Sequence, residues 1–152
     1  MIEGLEQIID DVASRNSKLV LIVGASETAK SLALANIASR RTVPVRNVGR
    51  ELGKQLLSLS AKQRALDAPV LLRQVVALPS ADALALLDKI EILFDESLKL
   101  DPIELLKQMA RARPVVAVWP GHVRNGRLTY SELGHPEHRD YAADGIVLHE
   151  IQ

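Results

Sequence analysis

Gly24, Lys30 and Ser31 are spaced as in a phosphate-binding loop of the pattern G-x-x-x-x-G-K-[ST]. In that pattern glycines let successive backbone N–H groups turn inward around the phosphates. The lysine reaches the outer phosphates and the hydroxyl binds Mg²⁺. The segment Gly24-Ala25-Ser26-Glu27-Thr28-Ala29-Lys30-Ser31 is therefore the candidate ATP-binding element, with Ser31 as a Mg²⁺ ligand. Its second glycine is replaced by Ala29. A Cβ is poorly tolerated wherever the loop needs positive φ or close approach of phosphate to backbone, so the sequence predicts nucleotide binding that Ala29 weakens or abolishes. Glu27 adds a carboxylate within the loop, which repels polyphosphate unless it points outward.

A nucleotide site also needs an acid to hold Mg²⁺, directly or through water, and a carboxylate to orient the attacking water. Two readings of residues 83–96 supply them. In one, Ala83-Leu84-Ala85-Leu86-Leu87 is a strand, with Asp88 the metal acid at its end and Glu91 close behind. In the other, Ile90-Glu91-Ile92-Leu93-Phe94 is the strand, and Asp95 and Glu96 provide the acidic pair. β-Propensity favours the second, yet it buries Glu91, which is costly without a partner. Alanine and leucine in the first favour helix. Either aspartate serves the same chemistry, and Glu91 or Glu96 is the candidate to position water.

Other polar residues carry weaker signals. His135, Glu137 and His138 lie in a Pro-containing stretch at a spacing that fits no standard metal site, and read as loop packing. Arg139 is a candidate arginine finger, reaching a neighbouring subunit's nucleotide in a homo-oligomer. Trp119 either caps the core or offers a contact to a partner protein. Arg40, Arg41, Arg111 and Arg113 read as helix ends neutralising carbonyl dipoles.

These residues need a scaffold, and the hydrophobic pattern provides one. Ile2, Leu5, Ile8, Ile9 and Val12 recur at helical spacing, predicting a helix over 2–15 packed on a sheet. Leu19 to Val23 reads as a parallel strand covered on both faces, and Leu32 to Ala38 as helix. Thr42 to Val48 suggests a second strand with Pro44 near its start. Gly49 to Leu59 turns helical, Ser60 and Gln63 resemble a capping box, and Pro69 is expected to break that helix before a further helical segment over 70–78. Asp101 and Pro102 open another helix, with Ile103, Leu105, Leu106 and Met109 as its apolar face. Residues 114–121 form a buried strand, Asn125-Gly126 signals a hairpin within 122–130, and Ile146 to Leu148 makes the last strand. The alternation predicts one three-layer α/β domain over 1–152 with a mainly parallel central sheet, ligands binding at the carboxyl ends of its strands.

Composition narrows the functional classes. The chain has 152 residues, 47% of them hydrophobic, enough for a folded core. Nineteen basic residues balance nineteen acidic ones, so no global field draws the chain to nucleic acid or an anionic membrane. Direct nucleic-acid binding by the isolated chain is therefore disfavoured. There are no cysteines, which excludes thiolate metal sites and suits a reducing cytoplasm. No apolar run approaches membrane-spanning length, and the expected location is cytoplasmic.

Taken in order, these motifs resemble the BrxF family, the small P-loop proteins of type-three BREX bacteriophage-defence systems. The resemblance covers most of the chain. It rests on the degenerate loop, on Leu86-Leu87-Asp88-Lys89-Ile90-Glu91-Ile92-Leu93-Phe94-Asp95 and on Ser97-Leu98-Lys99-Leu100-Asp101-Pro102. Val118-Trp119-Pro120-Gly121, Leu128-Thr129-Tyr130 and the run from Gly134 to Tyr141 complete it. It implies a P-loop NTPase-like fold without a helical lid domain, and makes Asp88 the preferred metal acid over Asp95. It also implies an ATP- and Mg-dependent defence component, beside a large ATPase, a DNA methyltransferase and a phosphatase-like partner. The alternative within the same resemblance is a pseudo-ATPase that keeps the fold as a protein-interaction scaffold.

Overall fold

The computed structural model describes residues 2–12, 19–76, 84–130 and 139–151. Leu19–Val23 (β1) offers solvent no polar side chain and is buried along its whole length, as a central parallel strand requires. The later strands are Val45–Asn47 (β2), Ala85–Asp88 (β3), Val115–Val118 (β4), His122–Arg124 (β5), Arg127–Tyr130 (β6), Arg139–Ala142 (β7) and Val147–Glu150 (β8). Five of them form a parallel sheet in the order β2-β3-β4-β1-β8. The helices are Ile2–Val12 (α1), Glu27–Arg41 (α2), Val48–Leu56 (α3), Ala61–Val75 (α4) and Pro102–Met109 (α5).

Side chains alternate across the sheet and divide the core in two. Val20 and Ile22 join Leu5 and Ile9 of α1 and Leu34 and Ile37 of α2 on one face. Leu19, Leu21 and Val23 join Leu52, Leu72 and Leu106 of α3, α4 and α5 on the other. The protein is thus α/β with helices on both faces of a parallel sheet, as expected.

Local details depart from the sequence reading at four places. Ile90–Phe94 is a 3₁₀ turn and not a strand, so the first of the two registers holds: Ala85–Asp88 is the strand, with Asp88 at its carboxyl end. The turn lets Ile90, Leu93 and Phe94 enter the core while Glu91 stays exposed, which removes the cost of a buried acid. Pro69 does not break α4, which runs on to Val75 because Ala68 and Leu72 hold its apolar face against the core. β2 is shorter than expected, since Asn47 caps α3 by accepting the Arg50 N–H at 3.0 Å. Finally, α2 begins at Glu27, well before Leu32. Residues 13–15, 77, 78 and 83 of the expected elements lie outside the described residues.

The strands β5, β6 and β7 form a separate antiparallel sheet at the carboxyl end of β4. Asn125 and Gly126 both have positive φ, 53° and 73°, as a two-residue hairpin turn matched to strand twist demands. The sheet is joined to the core by aromatic packing. Phe94 stacks on Tyr130 with centroids 4.0 Å apart and meets Trp119 edge-on at 5.4 Å, while Tyr141 packs edge-on to both. Gly121 makes the close approach possible, because a Cβ there would lie 1.8 Å from the Thr129 carbonyl oxygen.

Two expected outcomes follow from this packing. Gly121→Ala should destabilise the protein by roughly 1–3 kcal/mol or more in urea denaturation, through enforced overpacking. Gly126→Ala, with open space around its Cβ position, should cost less, about 1 kcal/mol for its positive φ. The imidazole of His149 on β8 lies beside Gly4 of α1, and burial lowers its pKa below 6.5. The unfolded chain therefore takes up this proton more readily than the folded one, and stability should fall as pH drops below about 6.5. His149→Gln should flatten that part of the measured stability profile.

Candidate functional site

The loop begins where three strands of the sheet end together. The Ile22 carbonyl accepts the Trp119 N–H at 3.0 Å, and the Val23 carbonyl accepts the Ile151 N–H at 2.9 Å, which fixes the exit from β1 between β4 and β8. Gly24 is required there by packing alone: a Cβ would lie 2.7 Å from the Ile151 carbonyl oxygen. Ala25 and Ser26 follow, both exposed, and the chain turns directly into α2.

Ser26 caps that helix. Its Oγ accepts the Ala29 N–H at 3.1 Å and its carbonyl accepts the Lys30 N–H at 3.1 Å. The eight-residue segment read as a loop is therefore a three-residue connection, Gly24 to Ser26, followed by Glu27, Thr28, Ala29, Lys30 and Ser31 within the first turns of a helix. Ala29 fits without strain because its position is helical and asks for no positive φ.

Lys30 is the only charged residue fully buried among the described residues, at 0% exposure. An ammonium cannot be buried without acceptors, and two are supplied. Glu27 Oε1 lies 2.7 Å from Nζ and the Trp119 carbonyl oxygen 2.6 Å. The partners differ in freedom, since the Glu27 side chain is 56% exposed whereas the carbonyl belongs to backbone anchored on β1. Sequence reasoning did not foresee Trp119 as a partner of Lys30. The Glu27–Lys30 pair had a signal, opposite charges three residues apart at a helix start.

The acidic candidates divide. Asp88 ends β3, half-buried, at the same edge of the sheet as the start of α2, with β4 between β3 and β1. Two strand spacings of roughly 5 Å thus separate the two strand ends. Its Oδ1 accepts the N–H of Lys89, which adopts a left-handed conformation with φ 56°. Lys30 bonds to neither Asp88 nor Asp95. Asp95 instead caps the short turn Glu96–Leu98, its Oδ1 accepting from Ser97 N at 2.9 Å and Ser97 Oγ at 2.7 Å. Glu91 and Glu96 are exposed on the turns that follow β3. Ser31 is half-buried one residue beyond Lys30.

Among the described residues no group of three or more histidine or acidic side chains is gathered as a metal site. His135, Glu137 and His138 lie outside the described residues, as does the side chain of Arg139. No described helix is long and apolar enough to cross a membrane. The chain matches no family model, no curated protein and no solved structure.

The cap has a measurable weight. Ser26→Ala removes the acceptor for the Ala29 N–H and should lower stability by about 1 kcal/mol, read from thermal or urea unfolding.

Proposed function

We propose that this protein is a P-loop ATP-binding component of a bacterial phage-defence assembly of the type-three BREX kind. The observation that carries the nucleotide reading is Lys30: a fully buried ammonium in the first turn of the helix after β1, held at the carboxyl edge of a parallel sheet and facing a carboxylate. A cation beside the N-terminal N–H groups of a helix supports an anion-binding reading. Polyphosphate fits the donor set, with Lys30 and the N-terminal N–H groups of α2 holding its outer oxygens once Glu27 turns to solvent. Ser31 and Asp88 would hold the Mg²⁺ with phosphates and water completing its shell, the arrangement Mg²⁺ favours over an all-protein cage. Glu91 or Glu96 would orient water. Bound Mg-ATP would supply a transferable phosphoryl group, and hydrolysis would call on partner residues to complete the site.

The assembly part of the reading is supported by the run of motifs from Leu86 to Pro102 and from Val118 to Gly121, and by surface chemistry. Leu57, Leu66 and Val70 are exposed. Leu66 lines a groove of about 440 Å³ with Ala61, Lys62, Ala65, Ser97 and Lys99. An apolar groove that carries Lys62 and Lys99 in its lining suits a protein partner.

A second reading, a scaffold without nucleotide, is favoured by one specific observation. Two of the groups that a phosphate would use, the Lys30 ammonium and the Ala29 N–H, are satisfied by the protein's own Glu27 and Ser26.

Calorimetric titration with Mg-ATP and Mg-ADP separates the two. Heat of binding by the native chain that Lys30→Ala abolishes supports the first reading. A native chain silent at millimolar nucleotide, with Lys30→Ala restricting phage normally, supports the scaffold.

A further inference from the structure

The Glu27 carboxylate is bonded to the Lys30 ammonium at 2.7 Å, and the two ends of that bond differ in exposure and anchoring. Lys30 Nζ is wholly buried and pinned by the Trp119 carbonyl at 2.6 Å, whose own residue donates its N–H to Ile22 at 3.0 Å. The lysine thus stays where it is whatever its anionic partner. The Glu27 carboxylate is 56% exposed, and its loss to water leaves no buried charge of its own behind. An incoming polyphosphate therefore finds the ammonium already oriented, and one charged side chain to displace from it.

Resting on the nucleotide reading above, we propose that Glu27 is an internal competitor for polyphosphate, an affinity-setting residue that holds the site closed until a more highly charged anion displaces it from Lys30. The competing bond is charge-assisted on both sides, the class whose removal alters binding most. Ser26 acts in the same sense on the Ala29 N–H, but through a neutral hydroxyl at 3.1 Å, a weaker bond. The position of the carboxylate also defines what is selected. Competition is for the phosphate chain and not for the base, so Glu27 lowers affinity for every polyphosphate alike.

The test titrates the full chain, native, Glu27→Gln, Glu27→Ala and Glu27→Gln with Lys30→Ala, using Mg-ATP and then magnesium tripolyphosphate as probes. Far-ultraviolet circular dichroism of each variant confirms folding. Both Glu27 variants should bind about tenfold more tightly than the native chain, equally for the two probes, and the double variant should lose the gain. A native chain that is silent while Glu27→Gln binds supports the proposal in its strongest form, a site held shut. Equal binding by native and Glu27 variants overturns the competitor and leaves the nucleotide reading standing. No binding by any variant at millimolar probe overturns both, because removing the competitor should have unmasked the site.

Discussion

The backbone and side chain of Trp119 join the elements that meet at the carboxyl edge of the parallel sheet. Its N–H continues the β1–β4 ladder, its carbonyl accepts the Lys30 ammonium, and its indole Nε1 donates to the Thr129 carbonyl at 3.1 Å. Its ring, fully buried, packs edge-on to Phe94 and Tyr141. One residue thus fixes the sheet end, the first turn of α2 and the small antiparallel sheet at once. The burial of Lys30 depends on it directly, because without that carbonyl the ammonium would rely on the exposed Glu27 carboxylate alone.

This arrangement explains why glycine stands at two places where bonding to phosphate is not the reason. Gly24 yields to the Ile151 carbonyl and Gly121 to that of Thr129, both backbone atoms that cannot step aside. A glycine at the head of a loop motif is commonly credited to the ligand, yet here the neighbouring strand end already demands it. The conformational account of Ala29 changes in the same way, since a residue in the first turn of a helix has no need of glycine's freedom.

Much of the fold was legible because hydrophobic runs of the right length leave few options. Leu19 to Val23 and the Asn125-Gly126 turn declared themselves through composition alone, as did a strand within 114–121, which the structure confines to Val115–Val118. What was not legible depended on contacts far apart in sequence. Ile90 to Phe94 has the β-propensity of a strand, but three of its five side chains reach the core only through a tight 3₁₀ turn. Pro69 sits in a helix that tertiary packing carries past it. The helix start at Glu27 was written in the Ser26 cap and in the acid of the first turn, signals that the phosphate-loop pattern overrode. The Trp119 carbonyl carries no sequence mark at all, being a backbone atom 89 residues from Lys30.

The aromatic cluster has a further consequence. The chain contains one tryptophan, two tyrosines and one phenylalanine, and all four meet in this one cluster. The aromatic near-ultraviolet absorption and fluorescence of the protein therefore originate at the joint beside Lys30. Emission from the indole reports on a fully buried ring whose own carbonyl touches the ammonium at the start of α2. The molecule carries its own unlabelled probe, placed beside the buried lysine.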